Sequence, residues 1–463
     1  MYTLQLPLKL EKYQKDIINK EFNMANLIYN KLLKLKLKEF KELTKTKQYR
    51  QLYESQDWKA LNELQKSKGF TKYGFSKAMQ QFQHHYRTVI GSQVAKDLAF
   101  RLYEAFKGKM LYGNSVFIKQ SQEIRTITDR SSNEIQFKQD KLTLWWPRHN
   151  IKTLIKIKTD YEKEALANKV KYCSIKRVLI RGKWKFYILL QIDGLPPLKR
   201  KDGVLVHPIG NGDVGIDIGT QTIAITTPTS TRLMELCDKI ERHDKAKQEL
   251  EIKMIKSLNS TNPNCCTPSG TRLKGMKLTI KSNHYEKLIL EHKEMIRKMK
   301  AIRKQQHIEY ANYIISLGDK IYVENMNYRS MKQQQRSKRS IKRGVTTSIL
   351  SKAPSMLLRI LDYKLKLYGK ELILVDVYDT KASQFNHITG DYSKTTLSDR
   401  YKNIGGHLVQ RDLYSAFLLM NANDDGKSIN VDKCKERFES FLEAHKIAII
   451  EIENRTYKIS SMG

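Results

Sequence analysis

The chain has 463 residues, of which 85 are Lys or Arg and 48 are Asp or Glu, so its formal net charge is +37. That length gives roughly two to four domains with cores of their own, and a charge of that size attracts polyanions and repels itself. No apolar run reaches the roughly 18 residues of a membrane span, and the start of the chain lacks the zones of a signal peptide, so the expectation is an intracellular protein whose partner is nucleic acid.

The chain opens on an alternating stretch, residues 2–10, that reads as a short strand. From 11 to 107 the apolar period becomes helical: Ala25, Ile28, Tyr29, Leu32 and Leu33 share one face, and Val94, Leu98, Leu102, Ala105 and Phe106 share another. Basic residues mixed with aromatics, as in Gly69-Phe70-Thr71-Lys72-Tyr73-Gly74-Phe75, suit a nucleic-acid backbone and stacked bases, and equally suit a solvated helical face. From 113 to 197 the period is two, with hairpin turns at Gln139-Asp140 and Arg181-Gly182-Lys183. These strands read as a small β-barrel or sandwich. The strand at 2–10 could complete it, which makes the helical block an insertion. Pro196-Pro197 and Lys199-Arg200-Lys201 mark a linker.

The next stretch, Gly215-Ile216-Asp217-Ile218-Gly219, is an apolar strand and a glycine turn leading into a second strand, with a carboxylate inside the first. A carboxylate there is costly unless it lies at an open sheet end or beside a cation. Three readings fit: a first metal ligand of an RNase H-type nuclease, a phosphate hairpin of an actin-like ATPase, or a strand-edge Asp in a turn. Charged helical sequence follows over 236–317, broken at Pro263 and Pro268, and fits a helical hairpin. A strand ends in Glu324. The loop 332–343 carries Arg336, Lys338, Arg339, Lys342 and Arg343, which could hold nucleic acid or could be solvated. A helix over 354–368 stops at Gly369, a strand covers 371–377, and residues 381–406 read as loop. Asp412 opens a helix over 410–420. A helix over 433–445 and an apolar strand over 447–450 end the reading.

Three carboxylates thus stand out: Asp217 in a leading strand, Glu324 ending a later one, and Asp412 opening a late helix. In an RNase H-like sheet these positions meet at one end. They would repel, and divalent cations would let them stay ionised; two Mg²⁺ ions there could activate water for phosphodiester cleavage. An actin-like ATPase would need a second phosphate hairpin and a Gly-Gly adenosine loop, and Gly405-Gly406 is the one Gly-Gly pair found.

The motifs Gly215-Ile216-Asp217-Ile218-Gly219, Tyr322-Val323-Glu324-Asn325-Met326 and Gln410-Arg411-Asp412-Leu413-Tyr414-Ser415-Ala416 resemble the three RuvC motifs of TnpB, the transposon-encoded RNA-guided nuclease related to miniature type V CRISPR effectors. Residues 303–313 resemble that family's bridging helix. The resemblance implies a multidomain α+β protein: a wedge β-barrel over 1–10 and 108–200, a helical recognition domain over 11–107, and an RNase H-like RuvC domain over 212–380 and 408–463. It implies Asp217, Glu324 and Asp412 as catalytic metal ligands for two Mg²⁺, with Mn²⁺ able to substitute. The implied partners are a guide RNA, double-stranded target DNA and its displaced strand. A bacterial cytoplasmic or nucleoid location and a monomer or dimer on the RNA go with it, and no membrane. Arg400 resembles an arginine near the RuvC site.

One departure concerns the insert 381–407, where the family has two Cys-x-x-Cys pairs binding zinc. None of the five cysteines (173, 237, 265, 266 and 434) lies there, and His387 and His407 cannot make a four-ligand site alone. No zinc is expected. Three other functions stay open: a guide-RNA-dependent DNA-binding regulator without cleavage, an actin-like ATPase, and a basic structural protein whose acids are incidental.

Overall fold

The computed structural model describes residues 1–110, 123–276, 278–327, 349–394 and 399–454. The chain divides into two compact units, Met1–Pro197 and Leu198–Gly463.

The first unit starts with β1 (Tyr2–Pro7), where Tyr2, Leu4 and Leu6 are buried and the residues between them exposed. Helices α1 (Lys12–Leu43), α2 (Lys47–Glu54), α3 (Trp58–Ser67), α4 (Lys72–His85) and α5 (Ser92–Met110) follow. In α1, residues Ile18, Phe22, Ala25, Tyr29, Leu32 and Lys36 form a buried stripe at helical spacing. Strands β2 (Thr126–Asp129), β3 (Gln136–Lys138), β4 (Thr143–Trp146) and β5 (Ile151–Leu154), helix α6 (Asp160–Ala165), and strands β6 (Val170–Ile180) and β7 (Lys183–Ile192) complete it. Arg181 and Gly182, at φ 48° and 73°, make the tight β6–β7 turn. β1 pairs antiparallel with β7, from Tyr2 opposite Ile192 to Pro7 opposite Tyr187. The first strand therefore joins the late hairpin, and the helices lie between them in sequence. The expected barrel does not close. The described strands form a four-stranded sheet, β1-β7-β6-β2, whose edges β1 and β2 do not pair with each other, and a separate three-stranded one, β3-β4-β5.

The second unit begins with a small hairpin, β8 (Arg200–Lys201) and β9 (Val204–Leu205), then β10 (Asp213–Ile218), β11 (Thr222–Thr226) and β12 (Thr231–Glu235). Helices α7 (Glu241–Ser260) and α8 (Asn283–Leu317) make the expected helical hairpin, and α8 runs unbroken into β13 (Lys320–Glu324). Then come α9 (Pro354–Leu367), β14 (Leu372–Val375), the turn α10 (Val377–Thr380), the hairpin β15 (Tyr401–Ile404) and β16 (His407–Gln410), α11 (Arg411–Met420) and α12 (Val431–Glu453). The sheet order is β12-β11-β10-β13-β14. β10 to β12 are antiparallel neighbours, while β13 and β14 run parallel to β10.

Period-two alternation sends Val214, Ile216, Ile218, Ile321 and Val323 to a core shared with α8 and α9. The opposite face holds Ala224, Leu233 and Tyr322 against α11 and α12. Two expectations fail here, and β12 is an addition to the expected elements. Residues 447–450 are the last turns of α12, because nothing between Ala444 and Ile452 breaks the helix and these two, with Ala448, are buried at i, i+4 spacing. The insert is no plain loop, since Gly405 and Gly406, at φ 58° and 87°, make a tight turn joining β15 to β16.

Candidate active site

β10 and β13 pair in parallel with Ile216 beside Val323. One residue on, Asp217 and Glu324 stand side by side, about 5 Å apart at their Cα atoms. Both fall on the alternate positions, so both face α11 and not the α8–α9 core. Asp412 lies in the first turn of α11, where the helix dipole favours a carboxylate. Gly215, two residues before Asp217, allows this approach. A Cβ there would stand 2.0 Å from the Ala416 carbonyl oxygen and 2.4 Å from the Met420 nitrogen, both backbone atoms of α11.

Asp217 feels the other two carboxylates. Burial pushes the Asp217 carboxyl well above the usual carboxylate range, the nearby Glu324 and Asp412 push it further, and the Arg411 guanidinium pulls it back. Burial likewise raises Glu324. All three remain partly open to solvent at the sheet end. Among the described residues no three His, Cys, Asp or Glu side chains close into a ligand shell. The donor set is nonetheless the right kind for a hard divalent cation: carboxylate oxygens, with Asp217 raised by burial and by its two neighbours, a repulsion that a cation relieves.

Arg411 is the residue that the sequence reading left without a role. Its Nε and Nη2 each donate to Asp412 Oδ1 at 3.2 Å, and its backbone nitrogen donates to the Arg400 carbonyl at 2.9 Å. Arg400 is therefore tied to the site through its backbone, half-buried beside the helix start. Gln410 caps α11, its side-chain oxygen accepting from Leu413 nitrogen at 2.7 Å, and its own backbone nitrogen donates to His445 Nε2 at 2.9 Å. The juxtaposition of Arg411 and Asp412 in sequence was the available signal; His445, far along the chain, offered none. Arg336, Lys338, Arg339, Lys342 and Arg343 lie outside the described residues.

No protein-family model matches the chain. No curated protein matches it either. Among solved structures it is similar to the cryo-EM structure of a Cas12f1–sgRNA–target DNA complex, at 14% identity over 91% of this chain and 98% of that one, with a TM-score of 0.45. A second is the cryo-EM structure of a CRISPR-Cas12f ternary complex, at 14% identity over 91% and 99% of the two chains, with a TM-score of 0.28.

The insert has its own arrangement. The Tyr414 hydroxyl stands 2.8 Å from His387 Nδ1 and accepts from the His387 backbone nitrogen at 3.2 Å. The His387 ring lies 4.6 Å from Phe438, which is also 6.2 Å from His407. Burial pulls His387 down to about 4, so the ring is neutral. Both histidine rings stand against one phenylalanine. No helix among the described residues is long and apolar enough to cross a membrane.

Proposed function

We propose that this chain is an RNA-guided, Mg²⁺-dependent DNA endonuclease of the TnpB and type V effector kind, cutting double-stranded DNA next to a short flanking motif at a single carboxylate site. The observation that carries the reading is the meeting of Asp217, Glu324 and Asp412 from two strands and a helix on one sheet face, with Asp217 pushed up by the other two. These three residues would hold two Mg²⁺ ions. Bound there, the ions would supply an activated water and neutralise charge on the leaving 3′ oxygen. The chain's own contributions are positional. Gly215 lets α11 lie against β10, Gln410 and His445 fix the helix start, and Arg411 keeps a positive charge beside Asp412 and Asp217.

Guiding by RNA rests on the three motifs and on the net charge of +37, which suits a chain that holds a long polyanion. Arg336, Lys338, Arg339, Lys342, Arg343 and Arg400 would contact nucleic acid, and the wedge and helical parts of the first unit would read the flanking duplex. The insert would work without zinc. The ATPase reading is weaker because Gly405 and Gly406 are used up in the β15–β16 turn and make no adenosine loop.

The test is to purify the protein from its native locus, sequence the RNA that accompanies it, and assay that complex on DNA in Mg²⁺. The proposal expects a discrete RNA with one constant and one variable end. It also expects Asp217→Ala to bind DNA as the parent does while losing cleavage. Random cellular RNA would refute guiding, and wild-type cleavage by Asp217→Ala would refute the site.

A further inference from the structure

Tyr378 is the most exposed of the large apolar and aromatic side chains among the described residues, at 84%. Other exposed rings here have neighbours: Tyr73 meets Phe100 at 6.2 Å, and Tyr392 meets Phe385 at 5.0 Å and Lys381. No ring and no cation faces Tyr378 among the described residues.

Its backbone, by contrast, is held firmly. The Asp376 carboxylate accepts from the backbone nitrogens of Tyr378 at 2.7 Å and Asp379 at 3.1 Å. The Asp376 nitrogen donates to the Gly426 carbonyl at 2.8 Å, and the Thr380 hydroxyl donates to the Asp376 carbonyl at 2.5 Å. A large ring on a fixed turn, exposed to water, keeps a flat apolar face available to a ligand at no cost in reorganising the backbone.

The position of this turn suggests what covers it. β14 pairs with β13 so that Val375 stands beside Glu324, and the Asn325 nitrogen donates to the Val375 carbonyl at 2.8 Å. Tyr378 is three residues beyond Val375, so its Cα is within about 16 Å of that of Glu324 even for a fully extended path. It stands at the carboxyl end of the parallel strands, the side where ligands of such sheets lie. The flanking acids, Asp376 and Asp379, would repel a phosphate. The face of a nucleobase carries no charge and has no such conflict.

We infer that Tyr378 is a stacking platform for a base of the single DNA strand entering the carboxylate site, a few nucleotides from the phosphate to be cut. The inference rests on the nuclease reading above and adds a substrate contact to it. Stacking of this kind tolerates any base, which suits a site that cuts whatever sequence the guide selects.

The experiment uses the full-length protein with its co-purified RNA. In an Asp217→Ala background, single-stranded DNA carrying 5-iodouracil is bound and irradiated, and the crosslinked peptide is mapped. Crosslinking at Tyr378, retained in Tyr378→Trp and lost in Tyr378→Ala, is expected. In the parent background, Tyr378→Ala should raise the half-saturating DNA concentration by roughly five- to a hundred-fold and leave the saturated cleavage rate within about twofold. Tyr378→Phe should behave as the parent. Crosslinks that fall only elsewhere, no crosslink at all, or an unchanged half-saturation in Tyr378→Ala would each overturn the inference. Failure of the nuclease reading shows differently, as cleavage that survives Asp217→Ala. Melting of Tyr378→Ala should match the parent, since the side chain is 84% exposed among the described residues.

Discussion

The two units each hold buried carboxylates, and their surroundings are opposite. In the first unit Glu21 is fully buried; burial raises its carboxyl above the usual range, and the adjacent His149 pulls it only partly back. Asp129, also fully buried, accepts from the backbone nitrogens of Ser131, Glu134 and Ile135 at 2.7–3.0 Å. In the second unit Asp217 faces two more carboxylates, and Arg411 offsets them only in part. Asp129 is thus satisfied by backbone donors, Glu21 is paired through one oxygen, and half-buried Asp217 is left in conflict. A conflict kept at a solvent-open sheet end is what the proposed cation site would relieve.

The comparison breaks most visibly at His149. His149→Ala leaves Glu21 without its partner in the core and should cost on the order of 3 kcal/mol in denaturant unfolding of the first unit. A cost under about 1 kcal/mol would mean that Glu21 is already neutral.

The glycines offer a second contrast. A Cβ at Gly91 would meet the end of the Glu134 side chain, which can move aside, whereas at Gly215 it meets helix backbone. Gly215→Ala should therefore cost about 2 kcal/mol and push α11 away, with cleavage falling at least tenfold, while Gly91→Ala costs less and leaves cleavage unchanged. Equal effects would show that the Gly215 contact is not what sets Asp412.

Removing one carboxylate sharpens the comparison from the other side. In EDTA, Asp217→Asn should raise the melting temperature by about 2 °C by relieving repulsion, although it loses cleavage. Adding Mg²⁺ should stabilise the parent and not the variant. A lowered melting temperature in EDTA would mean that Asp217 is satisfied by Arg411 alone.

Acid tests the second unit separately. Burial holds His307, His387 and His445 at about 4, below the ordinary 6.5. The unfolded chain therefore takes up protons that the folded chain refuses. Stability from these groups is whole well above pH 6.5 and falls as pH drops toward 4, with the loss already under way between pH 7 and 6 and steepest below that. Thermal melts across that range check the sign; a second unit that melts higher at pH 5 than at pH 7 would contradict it.

Much of the second unit was legible because its signals are local. Asp217 interrupts an apolar strand, Glu324 ends one, and Asp412 starts a helix, and each is visible within a few residues. The strand at 2–10 announced its partner only by alternation, yet it pairs with β7. What escaped depends on distant partners or on turns passed over. Gly215 matters because of Ala416 and Met420, and His445 because of Gln410. β12 follows Pro228 and Ser230 and alternates Thr231 and Leu233 inward, a weak signal over five residues. The β15–β16 hairpin was signalled by Gly405-Gly406, which was weighed as a nucleotide loop and is a turn.

The central claim is that Asp217, Glu324 and Asp412 act together as one divalent-cation site. The most direct measurement is Mn²⁺ binding to the full-length protein by electron paramagnetic resonance, in the parent and in Asp217→Asn, Glu324→Gln and Asp412→Asn. The account predicts tightly bound Mn²⁺ in the parent that Mg²⁺ displaces, and its loss or marked weakening in each variant. Equal binding in the parent and all three variants would contradict it.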